Sequence, residues 1–200
     1  MHILVYDLGT TGVKTCLFKI SDELTLLGSE YKKYNLYILE NGGAEQDLDE
    51  LWDAICDTTK NLLHELKIKS KNIDGISFCS QMQSVIVVDK DGVALRRSMN
   101  YMDMRASKEL KDCMGTGLIK VSGCNLFKVL KNLYVNRAAS MSVKDPVYKY
   151  KWIENNEPYI FKKVYKWLDV KDYIICRMTG EFVRTTDSAF STFLYDTRKG

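Results

Sequence analysis

Ile3-Leu4-Val5-Tyr6-Asp7-Leu8-Gly9-Thr10-Thr11-Gly12-Val13-Lys14 is the stretch from which the rest of the chain can be read. An apolar run ends in an aspartate, a small hydroxyl-rich turn follows, and a second apolar run extends from Val13 to Ile20. This pattern predicts strand, tight turn, strand. The turn offers backbone N–H groups beside Gly9 and Gly12, hydroxyls at Thr10 and Thr11, and a cation at Lys14. Donors grouped around a flexible turn form a concave anion site suited to phosphate. Asp7, at the strand end, sits where a phosphate-bound Mg²⁺ needs a hard oxygen ligand or a partner for its waters. One reading is a loop for the phosphates of ATP. The other is an ordinary hairpin that carries an aspartate, because hairpin turns use the same residues for geometry.

Working outward, Leu24 to Tyr37 reads as a further extended segment after the turn Ser21-Asp22-Glu23, giving three consecutive antiparallel strands. Asn41-Gly42-Gly43 breaks the pattern. Asp47 then offers a helix N-cap with Glu50 three residues on. Leu48, Leu51, Trp52, Ile55, Cys56, Thr59, Leu62, Leu63 and Leu66 recur at helical spacing, a stripe for core packing. Ile73 to Cys79 predicts a strand ending in the polar loop Ser80-Gln81-Met82-Gln83-Ser84. Val85 to Val88 starts another, Asp89-Lys90-Asp91-Gly92 is a hairpin signal, and Val93 to Met99 is the expected return strand. Ligands of open α/β sheets bind at the carboxyl ends of strands, so the Asp7 turn and the Gln81 loop are expected to face one crevice. From Arg105 to about Leu168 the pattern is helical and less regular. One helix is expected from Leu126 to near Ala139, others open at Pro146 and Pro158, and one begins at Asp169 or Asp172 and stops at Gly180.

The 200 residues allow one large domain or two small ones, and 46% apolar and 28% charged residues are globular values. The net charge of +3 comes from bases interspersed with acids, which gives nucleic-acid binding little compositional support. Lys144, Lys149, Lys151, Lys162, Lys163 and Lys166 read as a solvated helix face. The longest apolar runs, such as Val85 to Val88, fall far short of the roughly 18 residues of a membrane span. With no signal peptide visible, a cytoplasmic protein is expected. Cys16, Cys56, Cys79, Cys113, Cys124 and Cys176 form no Cys-x-x-Cys pair and read as reduced core residues. His2 and His64 lie in unrelated contexts, so a zinc site or a Ser-His-Asp triad has no material. No Gly-x-x-x-x-Gly-Lys-Ser/Thr loop exists, and Gly115-Thr116-Gly117 lacks the third glycine of a dinucleotide fingerprint, position 120 being Lys.

Several separated pieces together resemble the N-terminal domain of the FGGY carbohydrate kinases, the group that includes xylulose, gluconate and glycerol kinases. Tyr6 to Lys14 resembles the family's first phosphate motif, and Glu45-Gln46-Asp47 followed by Trp52 its entry to the first helix. Ser80-Gln81-Met82-Gln83 is similar to its Ser-Gln-Met-His substrate loop, and Tyr101-Met102-Asp103-Met104-Arg105 to its Trp-x-Asp-x-Arg element. Pro146 to Asn156, Lys171-Asp172-Tyr173 with Met178-Thr179-Gly180-Glu181, and Asp187-Ser188-Ala189 complete the series in order.

The resemblance implies an α/β fold: an RNase H-like domain of the actin, Hsp70 and hexokinase type, with a mixed sheet whose first three strands are antiparallel, flanked by helices. Residues 1–200 would be the sugar-binding N-terminal domain. It also implies that ATP with Mg²⁺ binds between this domain and a second one, and that the γ-phosphoryl passes to a sugar or polyol hydroxyl. The second domain and the general base are expected beyond Gly200, so the chain alone is expected to be inactive. A homodimer is allowed; nucleic acid and membrane are not expected as partners.

In this scheme Asp7 organises the metal, Gly9, Thr10, Thr11 and Gly12 hold the β- and γ-phosphates, and Lys14 adds positive charge. Gln81, Met82 and Gln83 contact the acceptor, with Met82 an adaptable apolar surface. Tyr101 stacks on the sugar or donates its hydroxyl, and Asp103 either accepts from a sugar hydroxyl or pairs with Arg105. Gln83 stands where xylulose and gluconate kinases have histidine, and Tyr101 where they have tryptophan. A D-xylulose-like ketose is therefore a default substrate only. A non-catalytic sugar-binding sensor and an actin-like protein of the same fold are the competing readings.

Overall fold

The structure is a computed structural model that describes residues 1–199. In chain order its elements are β1 (His2–Leu8), β2 (Gly12–Ile20), β3 (Leu24–Lys33), β4 (Leu36–Ile38), β5 (Ala44–Gln46), α1 (Leu48–Glu65), β6 (Gly75–Ser80), β7 (Ile86–Val88) and β8 (Ser98–Met99). Then come α2 (Ser107–Met114), β9 (Lys120–Val121), β10 (Cys124–Asn125), α3 (Leu126–Asn136), α4 (Pro146–Asn156), α5 (Pro158–Phe161), β11 (Lys166–Leu168), α6 (Val170–Thr179) and α7 (Thr186–Phe190). Contacts divide the chain into two compact units: residues 1–36 with 46–81, and residues 37–45 with the chain from Met82 onward.

The first unit is a four-stranded sheet in the order β3-β2-β1-β6. Its first three strands are antiparallel, as expected, and β6 lies parallel to β1. A parallel pair needs a crossover, and α1 supplies it. The alternation of β1 and β2 buries Leu4, Tyr6, Leu8, Val13 and Leu17, while the helical stripe of α1 buries Leu51, Ala54, Ile55 and Leu62. Full burial of each such Leu or Ile contributes roughly 1.5–3 kcal/mol. The polar atoms in this layer pair with one another: Tyr6 with Thr59 at 2.8 Å, and Thr15 with Thr58 at 2.7 Å. Asp47 caps α1, accepting from the Asp49 N–H at 3.0 Å. Asp7 falls on the other side of this alternation and is exposed.

Gly12 is required for space. A Cβ there would lie 2.6 Å from Tyr31 Cζ and 2.8 Å from the Lys32 carbonyl oxygen. The exposed Tyr31 ring can swing away, but the Lys32 carbonyl belongs to the register partner strand β3 and cannot. Gly12→Ala is therefore expected to destabilise the unit by about 1–3 kcal/mol, read from chemical unfolding. An unchanged midpoint would show that the strands separate freely at this point.

In the second unit β4, β5 and β8 form a three-stranded sheet, and β7 pairs antiparallel with β11. One core cluster joins Ala106, Met114, Cys124, Val129 and Tyr148, and another joins Val85, Val87, Met99 and Ile153. α6 carries a capping box between Asp169 and Asp172 and ends at Gly180 in the left-handed region, as its sequence predicts. α3 stops at Asn136, earlier than expected, because Arg137 turns left-handed.

Several expectations are corrected here. Val93 to Met99 is not a continuous return strand. The Asp89 carboxylate closes the turn on the N–H groups of Asp91 and Val93, bridges join Val88 to Ala94 and Val85 to Met99 at its two ends, and Ser98–Met99 pairs with β5 as well. Arg96 interrupts the strand because its guanidinium is drawn to Glu45 and Glu157. Lys149 is not on a solvated face but is fully buried. All six cysteines are free, but only Cys124 and Cys176 are buried, and Cys79 and Cys113 are exposed. Among the described residues no helix is long and apolar enough to cross a membrane.

Candidate active site

In the first unit the hairpin from β1 to β2 turns over Gly9 to Gly12, and all four carbonyls of that turn are taken by protein donors. The Tyr34 hydroxyl donates to Gly9 at 2.5 Å, Gln46 Nε2 to Thr10 at 2.7 Å, the Tyr34 N–H to Thr11 at 3.2 Å, and the Gly9 N–H to Gly12 at 3.0 Å. Burial, with the charges of Tyr31 and Asp7 adding, pushes the Tyr34 phenol well above its ordinary range, so it is a constant donor. A turn whose acceptors are consumed internally is biased toward donating, which suits an anion.

Asp7 and Lys14 are register partners, on one face of the sheet and both exposed. No ion pair joins them, and the Asp7 carboxylate accepts no hydrogen bond from any described residue. A strand-end carboxylate kept open beside a donor-rich turn can serve a cation that accompanies phosphate. Among the described residues no group of three or more His, Cys, Asp and Glu is placed to hold a metal. A Mg²⁺ here would rest on Asp7, phosphate oxygens and water, a set that fits that ion's habits.

Gln81, expected with the acceptor loop, also serves the turn. Its N–H donates to Leu8 O at 2.9 Å, and its Nε2 donates to Gln46 Oε1 at 2.8 Å, so a chain Gln81–Gln46–Thr10 braces the β1–β2 turn. The sequence alone points to no role for Tyr34 or Gln46 at this turn. Gln46 lies in a quoted motif, but its bonds run to positions 36 residues before it and 35 after it, which no local pattern reveals.

In the second unit Met82 is exposed, and Gln83 is half-buried with φ at 66°, a left-handed value rare for a residue with a side chain. Tyr101 is partly exposed, at 37%. Asp103 is fully buried, and of its two sequence readings the structure has the pairing with Arg105. Its carboxylate accepts from Arg105 Nε and Nη2 and from the Ala44 N–H at 3.0 Å. Glu45 joins the same group through Arg105 at 2.7 Å and through Arg96. Arg105 also stacks over Trp152, with its Cζ 4.5 Å from the ring centroid. This buried network ties the segment before α1 to the loop that carries Tyr101.

Residues 2–200 match the FGGY family of carbohydrate kinases, N-terminal domain. The chain is 28% identical over 199 residues to the xylulose kinase of Bacillus subtilis, covering 99% of this chain and 37% of that protein. The crystal structure of gluconate kinase from Lactobacillus acidophilus superposes with a TM-score of 0.81 at 29% identity, over 98% of this chain and 36% of that one. Plasmodium falciparum glycerol kinase with ADP shares the fold, with a TM-score of 0.84 at 18% identity over 98% of this chain and 38% of its own. The chain belongs to the FGGY carbohydrate kinases, as their N-terminal domain, and has their actin- and hexokinase-type α/β fold. It spans a little over a third of the length of the relatives it matches.

Proposed function

We infer that this chain is the phosphate-holding and acceptor-recognising part of an ATP-dependent sugar or polyol kinase. The observation that carries this reading is the open Asp7 carboxylate beside a turn that spends all four of its carbonyls internally. Thr10, Thr11 and the Gly12 amide hold the β- and γ-phosphates, the Gly9 N–H being spent on the Gly12 carbonyl, and Lys14 adds positive charge. Asp7 would hold Mg²⁺, which would supply charge neutralisation on those phosphates. An acceptor hydroxyl attacks the γ-phosphorus, the bond from that phosphorus to the β,γ-bridging oxygen breaks, and ADP leaves. The hydroxyl proton passes to a base outside these residues. Such transfer depends on positioning and charge neutralisation, which is what this turn offers.

On the acceptor side Met82, Gln83 and Tyr101 supply contacts, and Asp103 acts through Arg105. The similar proteins are named for xylulose, gluconate and glycerol, which spans ketose, aldonate and polyol. A ketose of the D-xylulose type is the default, since a xylulose kinase is matched over 99% of this chain. The test is a screen of the full-length protein for acceptor-dependent ADP release with ketoses, aldonates and polyols. Turnover with one of these classes is expected. Nucleotide binding without turnover on any of them would favour a sensor of the same fold and overturn the reading.

A further inference from the structure

Gln83 and Ser84 have all four of their backbone polar groups held by side chains distant in sequence. Asp169 accepts from both N–H groups, Gln83 at 2.9 Å and Ser84 at 3.2 Å. Lys149 Nζ donates to the Gln83 carbonyl at 2.7 Å, and Trp167 Nε1 to the Ser84 carbonyl at 3.2 Å. Backbone groups mostly bond to other backbone, so this is an unusual concentration of side-chain support. It falls on a residue that needs it, because a left-handed backbone at a non-glycine position is strained and persists only when its surroundings fix it.

Lys149 does more than satisfy Gln83. The same ammonium donates at 2.9 Å to the carbonyl of Asn100, the residue before Tyr101. Asn100 is itself buried, donates its N–H to Ala44 O at 2.8 Å, and accepts from the Met102 N–H at 2.9 Å. One buried cation thus joins the two stretches that carry Gln83 and Tyr101. It forms no ion pair with any described residue. A buried charge of this kind is costly, and two carbonyls alone are an expensive reason to keep one.

We propose that Lys149 is a positioning residue for acceptor recognition, its ammonium locking the Gln83 and Tyr101 stretches into one register, with Asp169 and Trp167 holding the other backbone groups of the Gln83-Ser84 pair. This rests on the kinase reading above. Lys149 touches no reacting atom. It sets where two side chains stand that touch the acceptor in that reading, and its own hydrogen bonds go to Gln83 and Asn100 and not to the β1–β2 turn.

The protonation of Lys149 gives a readout that packing alone would not move. Burial lowers its pKa to about 8, against the charges of Asp103, Asp169 and Asp145, which raise it, while Lys144 adds to the lowering. Below that value the ammonium is charged and grips both carbonyls; above it the grip weakens.

In the full-length protein Lys149→Met should raise the acceptor KM by about 10- to 100-fold while the ATP KM stays within about twofold. In the wild type the acceptor KM should climb as pH passes about 8, and Lys149→Met should abolish that limb. Gln83→Gly, which relieves the left-handed strain, should raise the acceptor KM without loss of stability and flatten the same limb. A wild type active on an acceptor, with Lys149→Met leaving that acceptor's KM unchanged or moving both KM values together, overturns the positioning role alone. If Lys149→Met does not fold, the pH profiles of wild type and Gln83→Gly decide, and a wild-type profile flat through pH 8 overturns it. A wild type inactive on every acceptor class overturns the kinase reading instead, and this proposal with it.

Discussion

Asp7→Asn in the full-length protein is expected to lower kcat for phosphoryl transfer by about 100-fold or more while leaving the fold intact. Asparagine keeps the size and shape of the side chain and removes only the charge. Asp7 is exposed and accepts no hydrogen bond from a described residue, so nothing in the sheet depends on that charge. A surface substitution of this kind changes stability by no more than about 0.5 kcal/mol. The whole effect therefore appears in the chemistry. A neutral amide would hold Mg²⁺ more weakly against the β- and γ-phosphates, and losing one preorganised electrostatic contact to the reacting group costs about 10²–10³ in kcat. Thermal unfolding of both proteins in the same buffer separates the two effects, and raising Mg²⁺ should partly restore the variant. Full activity in Asp7→Asn would place the metal elsewhere and leave the β1–β2 turn as an ordinary hairpin.

The difference between what could and could not be read from the sequence is one of range. The three antiparallel strands are written locally, in alternating apolar residues broken by Gly9 to Gly12 and by Ser21 to Glu23. The helix α1 is written in its cap and its stripe. The β1–β2 turn proposed to hold phosphate is legible as a turn because its residues lie within eight positions, from Asp7 to Lys14. Pairings that form across long separations were not legible. β7 finds β11 some eighty residues away, and Gln46 reaches both Thr10 and Gln81. Lys149 is the sharpest case. It stands among lysines whose spacing reads as a wet surface, and nothing in its neighbourhood announces that two carbonyls from other segments wait for it. Arg96 shows the same limit in reverse, since a strand pattern failed where a side chain had a stronger electrostatic destination.

Arg105→Met is expected to cost the second unit about 3–5 kcal/mol, the range for breaking a buried ion pair by removing one partner. Arg105 has a side chain only 5% exposed, and the Asp103 side chain is fully buried beside it. Burial alone would lower the Arg105 pKa, but its hydrogen bonds to Asp103 and Glu45 outweigh that and the net shift is upward, so the group is charged at every workable pH. Methionine restores the apolar volume over Trp152 and nothing else. Glu45 keeps Arg96, but Asp103 is left with backbone donors only, the N–H groups of Ala44 and Arg105. A cost of that size is a large share of the 5–15 kcal/mol that holds a typical domain, so a clear drop in the unfolding midpoint should follow. Pairing the change with Asp103→Asn tests the cause. If the penalty comes from an abandoned carboxylate, the double variant should recover much of the loss, because the group left behind is then neutral. If it comes from lost stacking on Trp152, the double variant should be no better than Arg105→Met. Recovery by Asp103→Asn would mean that the network fixes which segments meet around Tyr101, because a neutral pair packs there almost as well.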